Sequence, residues 1–518
     1  MQSHILVIRL SSLGDVLLTS PFILNLKIHF KNSRITYLTK ERFAGLVSSF
    51  DGVDEVFCLP DYAGMADYYS VLAELSSQRF DFIVDLHGKP FTWLVRNWVY
   101  SSEKWVVPKR RLERWLATKG VSGLLAPHTI DLHNAFFADR GLHDHARRPI
   151  LGDFGCERHL PRQNYVCLCP GAAHATKKWP RSRFARLAEM IHTNTGLDVA
   201  WIEEKESDAS DIRDKKYGWL SVIAGKTLEV VAATISRARA VISNDSGLMH
   251  LSSALNTPVI AIFGPTHPVL GFSPRGFHDQ IIEVDEPCRP CSLHGKSPCY
   301  RDKQYCLERI DEGDVLGRLQ DLLSSSANTN RAIFLDRDGT VIVEKQFLRD
   351  PMGVELEKGA ASALKKMKSM GYKLITVSNQ SGVARGLLTE DDVRSVNARM
   401  VWLLKQEGVE LDDMLWCPYF EHGIVDGYAK PSRLRKPSPR MPEDAATRHG
   451  IDLRRSWVIG DRLDDINLAR VINARPVLLK TGYGTETASL WETTLERARI
   501  PVVNGLSEAA ELIARDSG

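Results

Sequence analysis

Residues 333–341 read Ile-Phe-Leu-Asp-Arg-Asp-Gly-Thr-Val, an apolar run that leads into two aspartates and a Gly-Thr pair. The apolar residues predict a buried strand that ends at Asp336. In a parallel α/β sheet, such a strand presents its last side chain at the carboxyl edge, where these sheets bind ligands. Asp338 lies one step along the following loop and faces the same space. Two carboxylates placed in this way predict a Mg²⁺ site in which one attacks phosphorus and the other transfers protons.

Three further segments, in chain order, predict the rest of a phosphoryl-transfer site. Residues 373–380 (Lys-Leu-Ile-Thr-Val-Ser-Asn-Gln) form an apolar strand ending at Ser378, whose hydroxyl can bind a phosphoryl oxygen. The tripeptide 435–437 (Arg-Lys-Pro) supplies cations that offset phosphate charge. Residues 457–461 form a third strand ending at Asp461, a carboxylate that would join the first two. A capping serine, a surface cation and a helix-capping aspartate are the ordinary alternatives, but four such features at strand ends favour catalysis.

These motifs, with residues 379–386 (Asn-Gln-Ser-Gly-Val-Ala-Arg-Gly), resemble the D-glycero-D-manno-heptose 1,7-bisphosphate 7-phosphatases of the haloacid-dehalogenase (HAD) superfamily. Histidinol-phosphate phosphatases are the second resemblance. The similarity covers about residues 331–485. It implies that Asp336 is a nucleophile that forms an aspartyl-phosphate, with Asp338 as general acid and then base.

The same resemblance implies the remaining roles. Ser378 and Lys436 would steady the phosphoryl group. Mg²⁺ would be held by Asp336, the backbone carbonyl of Asp338, and Asp461. The substrate contacts would be Asn379, Arg435 and Arg462, where Arg462 stands in place of the family's usual lysine.

One loop departs from the family pattern, which usually carries zinc on a Cys-x-His pair and a Cys-x-Cys pair. Here Cys417 is kept, but the other three ligand positions hold Tyr419, Ser432 and Leu434. Tetrahedral zinc needs four nitrogen or sulfur ligands. The sequence therefore predicts that this loop binds no zinc.

Length and composition limit the remaining possibilities. A chain of 518 residues exceeds one core and predicts about three domain-sized units. The net charge of +3 is too small to indicate nucleic-acid binding, and no apolar run reaches the length of a membrane helix. The chain starts in a strand rather than a signal peptide, and nine cysteines suggest reduced thiols. A cytoplasmic location is expected.

Strands alternate with helical stretches throughout, which predicts doubly wound parallel α/β sheets. The clearest strands before the phosphatase motifs are residues 5–10, 34–39, 82–86, 165–170, 198–202, 240–243 and 259–264. Residues 141–163, rich in His, Arg and Pro, and residues 324–330, which are polar, interrupt the pattern. The predicted domains are residues 1–155, 156–323 and 332–518, with a linker at 324–331.

Two motifs in the first 320 residues point to a second chemistry. Residues 9–16 (Arg-Leu-Ser-Ser-Leu-Gly-Asp-Val) follow the first strand and place Asp15 at a helix start, where a simple helix cap is the alternative reading. Residues 244–250 (Asn-Asp-Ser-Gly-Leu-Met-His) start another helix, whose free N–H groups could seat a diphosphate. The loop 171–180 adds Lys177, which can neutralise phosphate.

Together, these motifs resemble the ADP-heptose:lipopolysaccharide heptosyltransferases of glycosyltransferase family 9, over about residues 3–320. The resemblance implies a GT-B fold, in which two Rossmann-like domains enclose the active site, followed here by a HAD-like Rossmannoid domain. Asp15 would be the general base, and no metal would be needed for transfer. The ADP-sugar would be held by Lys177, Glu206, Asp245, Ser246, Gly247 and His250.

Two features leave alternatives open. Four cysteines are candidate zinc or iron ligands by type, with reduced structural thiols as the alternative: Cys288, Cys291, Cys299 and Cys306. Similar cysteines occur in some family members, including those resembling autotransporter heptosyltransferases. Residues 104–119 are basic with interleaved Trp and Leu, which fits a solvated helix face, a patch for an anionic acceptor, or contact with the inner membrane.

The expected protein is a bifunctional enzyme of bacterial heptose and lipopolysaccharide biosynthesis, cytoplasmic or peripheral on the inner membrane. Its expected partners are a sugar phosphate, ADP-heptose and a lipopolysaccharide core acceptor. The alternatives are a histidinol-phosphate or other sugar-phosphate phosphatase, joined to a donor-binding module or a protein-O-heptosyltransferase.

Overall fold

The computed structural model describes residues 3–118, 126–152, 154, 163–213, 217–325 and 330–517. The chain forms two compact units, Met1–Ser325 and Ser326–Gly518. Three predicted features lie partly outside the described residues: the first domain boundary, the linker, and the end of the basic segment at Lys119.

The first unit begins with a five-stranded parallel sheet in the order β3-β2-β1-β4-β5. Its strands are β1 (His4–Ile8), β2 (Arg34–Lys40), β3 (Glu55–Leu59), β4 (Phe80–Asp85) and β5 (Ser101–Val106). Its helices are α1 (Leu13–Leu17), α2 (Ser20–His29), α3 (Ala44–Ser48), α4 (Met65–Ser76), α5 (Pro90–Trp98), α6 (Arg111–Ala117) and α7 (Thr129–Ala138).

A six-stranded parallel sheet, in the order β11-β10-β9-β6-β7-β8, completes the first unit. Its strands are β6 (Tyr165–Cys169), β7 (Asp198–Glu203), β8 (Leu220–Ala224), β9 (Val241–Asn244), β10 (Val259–Ile262) and β11 (Gln280–Ile282). Its helices are α8 (Arg181–Thr195), α9 (Ser210–Arg213), α10 (Leu228–Arg237), α11 (Gly247–Ala254), α12 (Tyr305–Glu308) and α13 (Glu312–Ser325).

The second unit contains one six-stranded parallel sheet in the order β14-β13-β12-β15-β16-β17. Its strands are β12 (Arg331–Leu335), β13 (Tyr372–Asn379), β14 (Asp413–Cys417), β15 (Trp457–Gly460), β16 (Arg475–Leu479) and β17 (Val502–Val503). Its helices are α14 (Ala360–Ser369), α15 (Glu390–Gln406), α16 (Arg440–His449), α17 (Leu463–Val471), α18 (Gly484–Leu490), α19 (Glu492–Arg497) and α20 (Leu506–Ser517).

All three sheets reverse their strand order beside their first strand. β1 pairs with both β2 and β4, β6 with both β7 and β9, and β12 with both β13 and β15. The crossover helices leave in opposite directions at that point and open a crevice at the carboxyl ends of the strands. The topology therefore predicts one ligand crevice in each sheet.

The two sheets of the first unit share a core. One cluster of buried side chains extends from Val7 and Phe22, beside the first sheet, to Val241 and Met249, beside the second. Burial on both faces explains why the strands read as continuous apolar runs rather than as alternating patterns.

The parallel α/β class predicted from the sequence is confirmed, and each quoted strand is present with ends shifted by a few residues. The interpretation of residues 104–119 as a single helical face is wrong. Residues 101–106 form the edge strand β5, because Pro108 cannot continue a helix and Trp105-Val106-Val107 favours a strand. Only α6 is helical there. Across the described residues, no helix combines the length and apolarity that crossing a bilayer requires.

Candidate functional sites

Three adjacent strands of the second unit converge on one acidic site. Asp336 follows β12 directly, Ser378 lies near the end of β13, and Asp461 follows β15 directly. All three side chains are buried. Because β13 and β15 flank β12, their carboxyl ends meet in the crevice of this sheet.

Three carboxylates form one group, and two of them bond a single buried lysine. Oxygen atoms of Asp336, Asp461 and Asp465 lie within 4.8 Å of one another. Lys436 Nζ lies 2.9 Å from Asp336 Oδ1 and 2.6 Å from Asp465 Oδ1. Burial and the neighbouring Asp336 raise the pKa of Asp461 to about 8. Burial also raises the pKa of Asp465 to about 7, although Lys436 opposes that rise.

This group fits a hard divalent cation. Asp461 Oδ1 is buried and has no hydrogen-bond partner, while Oδ2 accepts from the Tyr483 amide at 2.7 Å. A Cβ atom on Gly339 would lie 2.5 Å from Asp461 Oδ2, and one on Gly482 would lie closer still. Both glycines have positive φ, so the backbone wraps this carboxylate in a way that other residues would not allow. One lysine cannot balance three carboxylates, which leaves negative charge for Mg²⁺.

Asp338 is not part of that group and is held by a separate clamp. Arg337, which is buried, bonds both oxygens of Asp338, with Nη2 lying 2.9 Å from Oδ2. Gln380 Nε2 donates to Asp338 Oδ2 and to Ser378 Oγ, each at 2.8 Å. Asn397 on α15 accepts from Arg337 Nη1 at 2.9 Å. The clamp gives Asp338 one orientation beside Ser378.

The three residues predicted to contact the substrate, Asn379, Arg462 and Arg435, have different partners around this site. Asn379 bonds the backbone of Lys436 twice, accepting from its N–H at 2.9 Å and donating to its carbonyl at 3.2 Å. Asn379 therefore positions the lysine loop. The Arg462 guanidinium lies 3.9 Å from the Tyr483 ring centre and 3.9 Å from a Glu344 oxygen. The Arg435 guanidinium stacks 4.9 Å from the Phe420 ring centre.

The loop that departs from the zinc pattern is held by cations and aromatic rings. Cys417 is buried, and its sulfur contacts the carbonyl of Tyr419 at 3.8 Å. Arg385 and Arg435 both stack on Phe420, and Lys430 lies 5.0 Å from the Tyr419 ring centre. These contacts supply a framework for the loop, which is what a metal does in the zinc-bearing pattern.

The first unit contains a cavity of about 1320 Å³ between its two sheets. Helices α1 and α11 meet at its edge through two glycines. A Cβ on Gly14 would lie 2.6 Å from the His250 ring, and a Cβ on Gly247 would lie 2.9 Å from the Leu13 side chain. This close approach brings together most of the predicted transferase residues, which all line the cavity: Asp15, Lys177, Asp245, Ser246, Gly247 and His250.

Arg9 holds Asp15 in its ionised form. Arg9 Nη2 lies 2.7 Å from Asp15 Oδ2, and the Ser12 hydroxyl donates to the same oxygen at 3.0 Å. Burial alone would raise the pKa of Asp15, but Arg9 and Ser12 outweigh it and lower that pKa to about 2. The carboxylate remains 24 % exposed and faces the cavity. It is therefore available as a charged hydrogen-bond acceptor at any physiological pH.

On the opposite wall, Asp245 is fixed by two contacts on one oxygen. Lys177 Nζ and Thr266 Oγ1 each lie 2.7 Å from Asp245 Oδ2. His250 is buried one turn along α11, and burial lowers its pKa to about 4, so it is neutral. Its Nδ1 has no hydrogen-bond partner, which leaves a polar atom available to a ligand.

Glu206 is the predicted donor contact that the structure does not bring into the cavity. It is exposed in a short helical turn, and its side chain packs against Gly225. Glu203 and Glu204 line the cavity instead, because β7 carries them to its carboxyl edge. Sequence reasoning missed both, although their position at the end of an apolar strand was visible.

The metal site suggested for the four cysteines gains no support from this geometry. In the described chain, no three of their sulfur atoms lie within 4.8 Å of one another. Ion pairs hold the loop instead. Glu286 is buried and bonds Arg301 at 2.8 Å and Arg309 at 2.5 Å. Arg289 donates to the carbonyls of Gly264 and Thr266. The loop also supplies cavity-lining residues that the sequence did not indicate: Leu293, His294 and Lys296.

Three residues of the acidic site were also missed as contributors. Asp465 lies in the first turn of α17, four residues after Asp461, and its place just after the third strand was the available signal. Arg337 lies inside the quoted aspartate motif, and Gln380 ends the quoted strand segment. Their roles depend on side-chain directions that no sequence pattern specifies.

Comparisons with known proteins agree with two separate sites. The family described as Glycosyltransferase family 9 (heptosyltransferase) matches residues 125–299, and a HAD-hydrolase-like family matches residues 433–509. The chain is 33 % identical over 183 residues to a D-glycero-beta-D-manno-heptose-1,7-bisphosphate 7-phosphatase of Photorhabdus laumondii, covering 35 % of this chain and 94 % of the relative.

Two solved structures are also similar. A glycosyl transferase family 9 protein from Veillonella parvula is 21 % identical, with a TM-score of 0.50, covering 62 % of this chain and 97 % of that one. A D,D-heptose 1,7-bisphosphate phosphatase from B. bronchiseptica, complexed with magnesium and phosphate, is 30 % identical with a TM-score of 0.32. It covers 36 % of this chain and 99 % of that one.

The Arg9–Asp15 pair predicts a change in pH dependence. Because Arg9 lowers the pKa of Asp15, the carboxylate stays ionised down to about pH 2. In Arg9→Gln only Ser12 still opposes the effect of burial, so the pKa of Asp15 should rise from about 2. Glycosyl transfer by the variant should then fall with decreasing pH in the range where the native enzyme stays level. The measurement is the pH profile of single-turnover transfer; superimposable profiles would contradict it.

The aromatic and cationic loop predicts a phosphatase without zinc. Elemental analysis of the purified full-length protein should find the same zinc content in the native chain and in Cys417→Ser. Cys417→Ser should retain phosphatase activity within about threefold, because the lost contact is a weak one to sulfur. One equivalent of zinc that disappears in Cys417→Ser would show that this loop binds metal.

Proposed function

We propose that this chain, which belongs to the D-glycero-beta-D-manno-heptose-1,7-bisphosphate 7-phosphatase family, is a bifunctional enzyme of bacterial heptose and lipopolysaccharide biosynthesis. The second unit removes the 7-phosphate from a heptose 1,7-bisphosphate. The first unit transfers heptose from an ADP-sugar to an acceptor hydroxyl. The two reactions are not consecutive, because nucleotide activation of the sugar lies between them.

The observation that carries the phosphatase assignment is the carboxylate group around Lys436, which contains Asp336. The Asp336 side chain is contacted by Lys436 Nζ and by the Arg337 amide, and both contacts use Oδ1. We therefore propose Oδ2 as the attacking atom. As its bond to phosphorus forms, the bond from phosphorus to the sugar oxygen breaks. Asp338 gives its proton to that leaving oxygen, which becomes the C7 hydroxyl.

Hydrolysis of the resulting aspartyl-phosphate restores the enzyme. Asp338 takes a proton from water as its oxygen attacks phosphorus, and Asp336 departs as a carboxylate. Lys436 and Ser378 lie where they can bind phosphoryl oxygens and balance the charge that accumulates there. The proposed role of the Arg337–Gln380 clamp is to hold Asp338 in one orientation through both steps.

The residues proposed to hold Mg²⁺ are Asp336, Asp461 and the backbone carbonyl of Asp338, with Asp465 as an addition from the structure. When bound, the ion would withdraw charge from the phosphoryl oxygens. The buried Asp461 Oδ1, which lacks a partner, supports this assignment.

The observation that carries the transferase assignment is the contact of α1 with α11, which puts Asp15 and Asp245 on the walls of one cavity. We propose that Asp15 accepts the proton of the acceptor hydroxyl as its oxygen bonds the sugar carbon and the diphosphate departs. Lys177, the start of α11 and neutral His250 are proposed to bind the ADP-sugar. Ser246 and Gly247 present the first N–H groups of that helix.

The proposed acceptor is a lipopolysaccharide core sugar, which is anionic. Cations on the first-sheet side of the cavity support this assignment: Arg9, Arg42, Lys89, Lys109 and Arg114. The proposed location is the cytoplasm, with peripheral contact at the inner membrane.

Asp336→Asn should lower phosphate release from heptose 1,7-bisphosphate by at least about three orders of magnitude, because the attacking carboxylate is lost. Heptosyl transfer should persist, since its residues lie in the other compact unit. Asp461→Asn should instead raise the Mg²⁺ concentration needed for half-maximal activity. Phosphate-release assays over a series of Mg²⁺ concentrations measure both effects. Histidinol phosphate is assayed beside heptose 1,7-bisphosphate as the alternative substrate. Native phosphate release by Asp336→Asn would show that Asp336 is not the nucleophile.

The two walls of the transferase cavity should respond differently to substitution. Asp15→Ala removes a proton acceptor and should lower single-turnover transfer by about 10²–10⁴-fold with donor affinity near native. His250→Ala and Asp245→Ala should weaken donor binding, because both face the donor side. Calorimetry with ADP-heptose and rapid-quench transfer assays measure the two effects. Native transfer in Asp15→Ala would leave Asp15 as a helix cap and the first unit as a donor-binding module.

A further inference from the structure

The loop that carries the four cysteines, residues 288–306, packs against one wall of the cavity in the first unit. The Thr176 hydroxyl donates to the carbonyl of Gly295, and the Gln304 side chain donates to the carbonyl of Thr176. Gly295 has a φ of +74°, and a Cβ atom there would lie 2.8 Å from Lys177 Cγ. The backbone of this segment, which we call the cysteine loop, therefore lies directly on the side chain of Lys177.

A second set of contacts ties the cysteine loop to the strand ends of the second sheet. Arg289 donates to the carbonyls of Gly264 and Thr266, which follow β10. The Thr266 hydroxyl in turn donates to Asp245 Oδ2 at 2.7 Å. The cysteine loop thus belongs to the wall on which we propose that the ADP-sugar binds, and not to the first-sheet side of the cavity.

His294 and Lys296 reach the cavity from this position. They flank Gly295, and both line the cavity. Lys296 is exposed, and within the described residues no carboxylate pairs with its ammonium group. Burial lowers the pKa of His294, Lys177 lowers it further, and Asp15 opposes both effects. The ring is therefore neutral and lies close to charges on both walls, and a neutral imidazole can still donate one hydrogen bond.

The other charges of the donor-side wall leave a diphosphate short of cations. The charged residues of this wall that line the cavity are three lysines and three carboxylates: Lys177, Lys226, Lys296, Glu203, Glu204 and Asp245. Lys177 Nζ lies 2.7 Å from Asp245 Oδ2, so its charge is already balanced. Lys226 follows β8, which lies three strands from β9 in the sheet, or about 14 Å at the usual strand spacing. Lys296 is thus the unbalanced lysine beside Lys177.

We propose that the cysteine loop is part of the donor site, in which Lys296 binds the diphosphate of the sugar nucleotide and His294 donates a hydrogen bond to it. The inference rests on the proposed transferase function and adds two binding residues to it. During transfer, the bond from the anomeric carbon to the diphosphate oxygen breaks, and its electron pair stays on that oxygen. The acceptor oxygen bonds the same carbon, and Asp15 takes its proton. Because the departing diphosphate gains one negative charge, Lys296 should stabilise it more strongly than it stabilises the bound donor.

The test is calorimetric binding of ADP and of adenosine to the full-length protein. Lys296→Gln should weaken ADP binding about 10–100-fold, because a hydrogen bond to a charged group is lost, and should leave adenosine binding near native. Lys296→Arg should restore most of the ADP affinity, since it keeps the cation. His294→Ala should weaken ADP binding about tenfold. Lys303→Gln is the matched control, because Lys303 is exposed on the same loop and does not line the cavity.

Single-turnover transfer at saturating ADP-heptose adds a second measurement. Lys296→Gln should lower that rate at least about tenfold, because the charge on the leaving diphosphate is less well balanced. Native ADP affinity in both Lys296→Gln and His294→Ala would overturn the proposal, and a raised KM for the acceptor in those variants would then assign the loop to the acceptor. An equal loss of ADP and adenosine affinity would also overturn it, since the loop would then only support the fold. A native chain that binds neither ADP nor ADP-heptose would reject the transferase assignment itself.

Discussion

The reversal of strand order beside the first strand of each sheet is the constraint on which the rest of this structure depends. At that reversal, neighbouring crossover helices leave in opposite directions, and the carboxyl ends of two adjacent strands lie open between them. Asp336 and Asp461 follow β12 and β15, which are such a pair. Asp15 follows β1, and Asp245 follows β9, each beside an equivalent reversal. Both sets of chemical groups occupy crevices that the topology creates.

The two sites keep their carboxylates buried by different means. In the first unit, Asp15 has one guanidinium and one hydroxyl beside it, so its charge is balanced within the protein. In the second unit, one lysine serves three carboxylates, and the pKa values of Asp461 and Asp465 rise because burial is not fully compensated. Electrostatics therefore distinguish a carboxylate whose charge is balanced within the protein from a carboxylate group that fits Mg²⁺.

Two loops illustrate how contacts other than metal ligands can hold an irregular segment. Around Phe420, two guanidinium groups stack on one ring where the related pattern has zinc ligands. Around Glu286, two arginines pair with one buried carboxylate while the nearby cysteines stay apart. Each arrangement fixes residues next to a cavity or site: Arg435 in one case, His294 in the other.

The amino-acid sequence by itself determined the fold class, most strands and the position of the proposed nucleophile, because these depend on local apolar runs and on the residue that ends each one. Asp336 and Asp461 could be named for that reason. Only the tertiary structure decided which side chains meet. It added Asp465 and Arg337 to the acidic site, put Glu203 rather than Glu206 in the cavity, and divided residues 104–119 between a strand and a helix. Such outcomes depend on contacts between distant segments and on side-chain direction, which a one-dimensional pattern does not contain.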